Sequence, residues 1–216
     1  KGLNEIELNS KVKEIYKESE IGRECMERIS NLNTPSPVLA VIEKPSYSKE
    51  EIVNQLSANL KKEGNPLYLG LDTVKDPGNL GTIIRIADWF GIEAIFAQMG
   101  TVEVYNPKVV QATMGAIFRK KVIYCSLEDI IKIFQKENYP VYGTFLDGEN
   151  MYNSNLDKRG LIVMGSESFG ISDKIKELVT HKLLIPSYPA NVTTSESLNV
   201  AVATAIICSE FRRGII

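Results

Sequence analysis

The chain has 216 residues, 44% hydrophobic and 24% charged, which is enough apolar material for a sizeable core in an ordinary globular protein. A formal net charge of −2 excludes an overall basic field for nucleic acid, so any such contact must come from a local patch. Three scattered cysteines and a single histidine, His181, argue against a disulfide framework, a zinc site or a Ser-His-Asp triad, and no apolar run is long enough to span a bilayer.

Residues 10–31 are polar and helix-compatible, with Ile15, Met26 and Ile29 as sparse apolar positions. The opening Lys1 reads as the middle of a longer chain. NTPSP (33–37) breaks the chain, because each proline fixes its own φ and restricts the residue before it. VLAVIE (38–43) predicts a strand. Residues 48–62 open on a Ser48…Glu51 capping box and predict a helix. From residue 67 short apolar strands alternate with helices. Strands are predicted at 67–72, 94–98, 121–125, 140–146, 161–164 and 182–185, and helices at 79–90, 106–118, 126–138, 172–179 and 197–213. That alternation predicts an α/β layer fold with a mainly parallel sheet.

Ligands of such sheets bind beyond the carboxyl ends of the strands, where loops 73–79, 165–171 and 186–197 lie. In DPGNLGTIIRIADWFG (76–91), Asn79 can cap the following helix. Leu80, Ile83, Ile84, Ala87 and Phe90 form an apolar stripe, and Thr82, Arg85 and Trp89 take the opposite side. Arg85 is either a surface residue paired with Asp88 or stacked on Trp89, or a functional group. Gly81 either saves space or admits a backbone. MGSESFGIS (164–172) holds Glu167 between Gly165 and Gly170, as an exposed acid on a turn or as a positioned carboxylate. The last helix is apolar almost all round, which calls for burial in a core or an interface. Ser197 is the natural cap there, and Asn199 falls inside the first turn.

Together these segments resemble the SpoU/TrmH family of RNA ribose methyltransferases, within the SPOUT superfamily. The family's Asn-x-Gly-x-x-x-Arg motif matches Asn79, Gly81 and Arg85. Its Gly-x-Glu-x-x-Gly motif matches Gly165, Glu167 and Gly170. Ile-Pro followed by Ser-Leu-Asn-Val matches Ile185, Pro186, Ser197, Leu198, Asn199 and Val200. ATMGAIF (112–118) also looks like a family segment. The resemblance covers about 67–216, with a longer loop between Pro186 and Ser197 than is common, and Phe169 where small or acidic residues are frequent.

The resemblance implies a SPOUT-type α/β knot: a parallel sheet whose C-terminal segment forms a trefoil knot. Residues 1–44 would be a remnant of a small N-terminal RNA-binding α/β domain, 45–66 a linker and helix, and 67–216 the catalytic domain. It further implies a homodimer with the active site at the interface and S-adenosylmethionine held by Gly165, Ile185 and Leu198, with Thr144 added; the cysteine and histidine usage points to a reducing cytoplasm and no metal. The implied reaction methylates a ribose 2′-OH of rRNA or tRNA, with Arg85, Asn79, Glu167, Ser197 and Asn199 as catalytic residues. Family proposals make Arg85 the base. A guanidinium is a poor base at neutral pH and suits phosphate binding and alkoxide stabilisation better. Glu167 would orient Arg85 or donor groups of the RNA. Arg119, Lys120 and Lys121, and Arg212 and Arg213, are either ordinary solvated patches or RNA contacts, and Tyr105 and Tyr188 are either surface aromatics or base-stacking rings. The alternatives are a non-catalytic RNA-binding member of the same fold, a nucleotide-binding α/β enzyme, and a tRNA base methylase.

Overall fold

The computed structural model describes residues 12–30, 33–189 and 197–214, and the chain divides between Tyr47 and Ser48 into two compact units. In the first, strand β1 (Val12–Lys17) leads into two short helices, α1 (Glu18–Ile21) and α2 (Arg23–Ile29), and then strand β2 (Val38–Ile42). β1 pairs antiparallel with β2. The helix expected across 10–31 therefore begins as a strand: the β-branched and aromatic Val12, Ile15 and Tyr16 gain a pairing partner that local polarity does not reveal. Gly22, at φ 82°, breaks the remainder into two helices.

The second unit runs α3 (Lys49–Leu60), β3 (Leu67–Leu71), α4 (Pro77–Trp89), β4 (Ala94–Gln98), α5 (Pro107–Ala112), β5 (Lys121–Cys125), α6 (Leu127–Lys136), β6 (Val141–Asn150), β7 (Gly160–Met164), α7 (Asp173–Lys176), β8 (His181–Leu184) and α8 (Val200–Arg212). The capping box on α3 is formed in both directions, Ser48 to Glu51 and back. The helix expected over 106–118 stops at Ala112, because Met114 and Gly115 take positive φ, and only a 3₁₀ turn at Ala116–Phe118 follows.

Six strands form one parallel sheet in the order β5-β4-β3-β7-β6-β8. β3 and β7, at its centre, are buried along their whole length, as strands covered on both faces must be. Leu69, Leu71, Ile83, Ile84, Ile162, Ile207 and Phe211 form the core between sheet, α4 and α8. The chain builds β3, β4 and β5 outward to one edge, then returns to build β6 and β8 on the other side of β7. The reversal falls between β3 and β7, and a crevice opens at such a switch point. Part of the implied knot, 190–196, lies outside the described residues.

Candidate functional site

The chain enters α4 from the end of β3. Asp76 is the N-cap: its Oδ1 accepts the Asn79 N–H at 2.8 Å, and Pro77 occupies the first helical position. Asn79 is therefore not the cap expected of it. It sits within the first turn, where its side chain can face the next loop.

That loop leaves β7 at Gly165. A Cβ there would lie 2.1 Å from the carbonyl carbon of Gly170, so the loop can fold back on itself only through glycine. Ser166 and Gly170 exchange backbone hydrogen bonds of 2.9 and 3.0 Å, and Gly170 turns at φ 68°. Beyond the turn, the buried Asp72 at the end of β3 accepts the Ser172 N–H at 2.7 Å and ties down the far end. The result is a tight hairpin presenting Glu167. Its carboxylate accepts the Lys75 N–H (3.1 Å), the Asp76 N–H (3.2 Å) and the Asn79 Nδ2 (2.9 Å). Burial pushes this carboxyl up. The hydrogen bonds from the Asn79 amide and from the backbone N–H groups of Glu167, Lys75 and Asp76 outweigh it, and the pKa ends below the ordinary carboxylate value.

The third segment closes the arrangement. Asn199 is the N-cap of α8, its Oδ1 accepting the N–H groups of Ala201 (2.9 Å) and Val202 (3.2 Å). Its Nδ2 donates to Asn79 Oδ1 at 2.8 Å. The expected roles are thus exchanged: Asn199 caps, and Ser197 is an exposed residue ahead of the cap. The hydrogen bonds run one way. A carboxylate only accepts, so Asn79 must turn its amide nitrogen toward Glu167 and its oxygen toward Asn199. Asn199 must then donate to Asn79 and offer its oxygen to the helix. Three segments distant in sequence are locked in one polarity.

Arg85 stands outside this chain. It lies about 9 Å further along α4 and about 120° around it from Asn79, by helix geometry. It is exposed on the face it shares with Thr82 and Trp89, the latter 85% exposed. Asp88 is not its partner, because Arg119 holds that carboxylate at 2.7 and 2.9 Å. Among the described residues Arg85 makes no hydrogen bond or ion pair, so Glu167 does not orient it within one copy. Gly81, of the same motif, serves packing: a Cβ would lie 2.4 Å from Ala112 Cβ and 2.8 Å from the Val109 carbonyl of α5.

Gly165 and Ile185 directly follow β7 and β8, Thr144 lies within the adjacent β6 just before its register shift, and Leu198, 48% exposed, precedes α8. The basic clusters are largely committed to the fold. Arg119 pairs with Asp88, Lys120 Nζ donates to the Ile92 carbonyl (3.0 Å), and Arg213 pairs with Glu210 (2.6 Å). Arg212 donates to the carbonyls of Phe90, Asn65 and Gly91. Tyr105 packs against the core, whereas Tyr188 is exposed. Sequence reasoning missed Asp72 and Asp76. The Asp-Pro-Gly order, which puts proline at the first helical position, was the signal for Asp76. A backbone hydrogen bond 100 positions away left no signal for Asp72. Among the described residues no metal-binding cluster of His, Cys, Asp or Glu occurs, and no helix is long and apolar enough to cross a membrane.

Residues 66–209 match the SpoU rRNA Methylase family model. The chain is 30% identical over 193 residues to the 23S rRNA (guanosine(2553)-2′-O)-methyltransferase RlmP of Bacillus subtilis, covering 89% of this chain and 71% of that one. It is 29% identical to the 23S rRNA (guanosine-2′-O-)-methyltransferase RlmB of Blochmanniella floridana, covering 95% and 82%. Among solved structures, an AdoMet-bound rRNA methyltransferase from Sinorhizobium meliloti superposes with a TM-score of 0.80 at 27% identity, over 95% of this chain and 81% of that one. A TrmH-family protein from Porphyromonas gingivalis superposes with a TM-score of 0.74 at 41% identity, over 87% and 70%.

Proposed function

The chain belongs to the SpoU rRNA Methylase family, and we propose that it transfers a methyl group from S-adenosylmethionine to a ribose 2′-OH of ribosomal or transfer RNA in the cytoplasm. The observation that carries this reading is the one-way hydrogen-bond chain Glu167–Asn79–Asn199, which fastens all three motif loops together at the switch point of the sheet.

The residues present suit the cofactor. Ile185 and the half-exposed Leu198 offer apolar walls for a flat purine, while Thr144 of β6 and the backbone at Gly165 offer polar groups for a ribose and an amino acid moiety. When bound, S-adenosylmethionine supplies a methyl group already activated on a sulfonium. The protein's task is then to hold a weak nucleophile in line with it and to stabilise charge growing on oxygen. Arg85, which has no hydrogen-bond or ion-pair partner among the described residues, takes the phosphate beside the target ribose and stabilises the developing alkoxide. A guanidinium suits a fork of donors better than a base, so the 2′-OH proton passes to water as the oxygen takes the methyl group. Asn79, Asn199 and Ser197 border the ribose, and Glu167 holds Asn79 in the orientation that lets it do so.

Within one copy Arg85 points away from that chain around α4, so the site is completed by a homodimer. The apolar residues left exposed on the neighbouring helices α4 and α8, Trp89 and Val202, suit a second copy.

The test combines calorimetry with S-adenosylmethionine and mass-spectrometric mapping of 2′-O-methyl groups in rRNA and tRNA from cells with and without the protein. Cofactor binding and one lost methyl are expected; no cofactor binding points instead to a non-catalytic RNA-binding member. Arg85→Ala should keep cofactor affinity and lose turnover by about 10² or more. Near-normal turnover in Arg85→Lys would sink the fork role.

A further inference from the structure

Phe169 contributes nothing to the fold's burial: it is 92% exposed, at the tip of the β7–α7 hairpin, two residues from Glu167. Yet the backbone carrying it is fixed. The Ser166–Gly170 pair closes the turn, Ser166 Oγ accepts the Phe169 N–H at 3.2 Å, and Asp72 holds Ser172 beyond it. On the near side Glu167 is pinned by three donors from the β3–α4 loop. An apolar ring in water on a preorganised support is a contact surface whose ordering cost is met on folding rather than on binding.

We propose that Phe169 is a stacking platform for an unpaired RNA base next to the methylated ribose. The inference rests on the RNA-methylating reading and names how that site grips its substrate. Two further observations favour a base over other occupants. The chain carries a net charge of −2, and the cations of its two basic clusters for which partners are described are held by Asp88, Glu210 and backbone carbonyls. Phosphate attraction from these two clusters is therefore reduced, which leaves more of the affinity to non-ionic contact. Aromatic rings stack on single-stranded bases, which expose the apolar faces that a duplex hides. The preference this gives is for larger purine faces over pyrimidines, with no requirement for a particular hydrogen-bonding edge.

The experiment measures fluorescence anisotropy of labelled oligoadenylate and oligouridylate with wild type, Phe169→Ala, Phe169→Leu and Phe169→Trp. Cofactor calorimetry and sedimentation velocity are run on each. Wild type should bind oligoadenylate more tightly than oligouridylate. Phe169→Ala should lose about tenfold on oligoadenylate, the scale of one base–aromatic stack, and narrow the difference. Phe169→Trp should restore both, Phe169→Leu neither, and cofactor affinity should stay constant. Unchanged binding in Phe169→Ala, full binding in Phe169→Leu, or no oligonucleotide binding by wild type overturns the inference. A shift in oligomeric state on Phe169→Ala would likewise overturn it, assigning the ring to a contact between copies. Failure of wild type to bind S-adenosylmethionine would instead count against the methyltransferase reading, since oligonucleotide binding is read without the cofactor.

Discussion

Asn79 uses both ends of one amide, donating to Glu167 and accepting from Asn199, and the two asparagines can therefore be separated by chemistry. Asn199→Asp keeps an oxygen for the N–H groups of Ala201 and Val202 and adds a charge that a helix N-terminus favours, but it has no donor for Asn79. Thermal unfolding should then be nearly unchanged while methyl transfer drops about tenfold or more, the scale of one lost charge-linked hydrogen bond. Asn199→Ala should in addition lose about 1 kcal/mol of stability with the cap. Full transfer by Asn199→Asp would show that the chain of amides is dispensable. Glu167 sets a pH limit of definite sign. Its folded pKa lies below the ordinary carboxylate value, so its contribution is complete above that value and is lost as pH falls through the folded pKa. The pH–rate profile should show no Glu167 limb near neutrality and an acid limb only below the ordinary carboxylate range. Glu167→Gln should abolish that limb.

At the scale of elements, the contact of α4 with α5 is set by a missing methyl. Alanine at position 81 is a better helix former by about 1 kcal/mol, but its Cβ would strike Ala112 and the Val109 carbonyl. Gly81→Ala should cost a net 1–3 kcal/mol or so in urea unfolding, with partial recovery in Gly81→Ala/Ala112→Gly. Arg212, read from sequence as part of a solvated patch or an RNA contact, instead ties three carbonyls near the end of α4 and the approach to β3, so Arg212→Ala should cost about 2 kcal/mol with oligonucleotide binding intact. These cases show what the sequence discloses. The stripe Leu80, Ile83, Ile84 and Ala87 was legible because burial obeys a local period, and so were the strands of the parallel sheet. The helix caps were misplaced by three residues at α4 and two at α8, because Asp76, Asn79, Ser197 and Asn199 are all competent caps; Pro77 marked Asp76 locally, whereas the bond of Asn199 to Asn79 is tertiary. β1 escaped notice for the same reason: its partner lies more than twenty positions on. The motif residues were found as a set by resemblance, whereas the polarity linking Asn79, Glu167 and Asn199 needed coordinates.

Across the whole molecule, α8 poses the remaining question. Its sequence is apolar all round, and one side, with Ala201, Thr204, Ile207, Cys208 and Phe211, is buried against the unit it belongs to. Val202 is half exposed on the other side, and Trp89 of the neighbouring α4 is more exposed still. A symmetric dimer would cover such a self-complementary patch. Val202→Asp should yield a folded monomer in sedimentation velocity, since Val202 is outside the core, and that monomer should not transfer methyl groups. The geometry of α4 supports a sharper test. Asn79 and Arg85 share one helix yet face different ways, so if both serve one reaction, the two come from different copies. Arg85→Ala and Asn79→Ala homodimers should each be inactive. Refolded together, half of the dimers are mixed, and each mixed dimer has one site with the intact arginine of one copy and the intact asparagine of the other. About a quarter of wild-type activity should return. If both residues act within a single copy, every site in the mixture carries one defect and no activity returns.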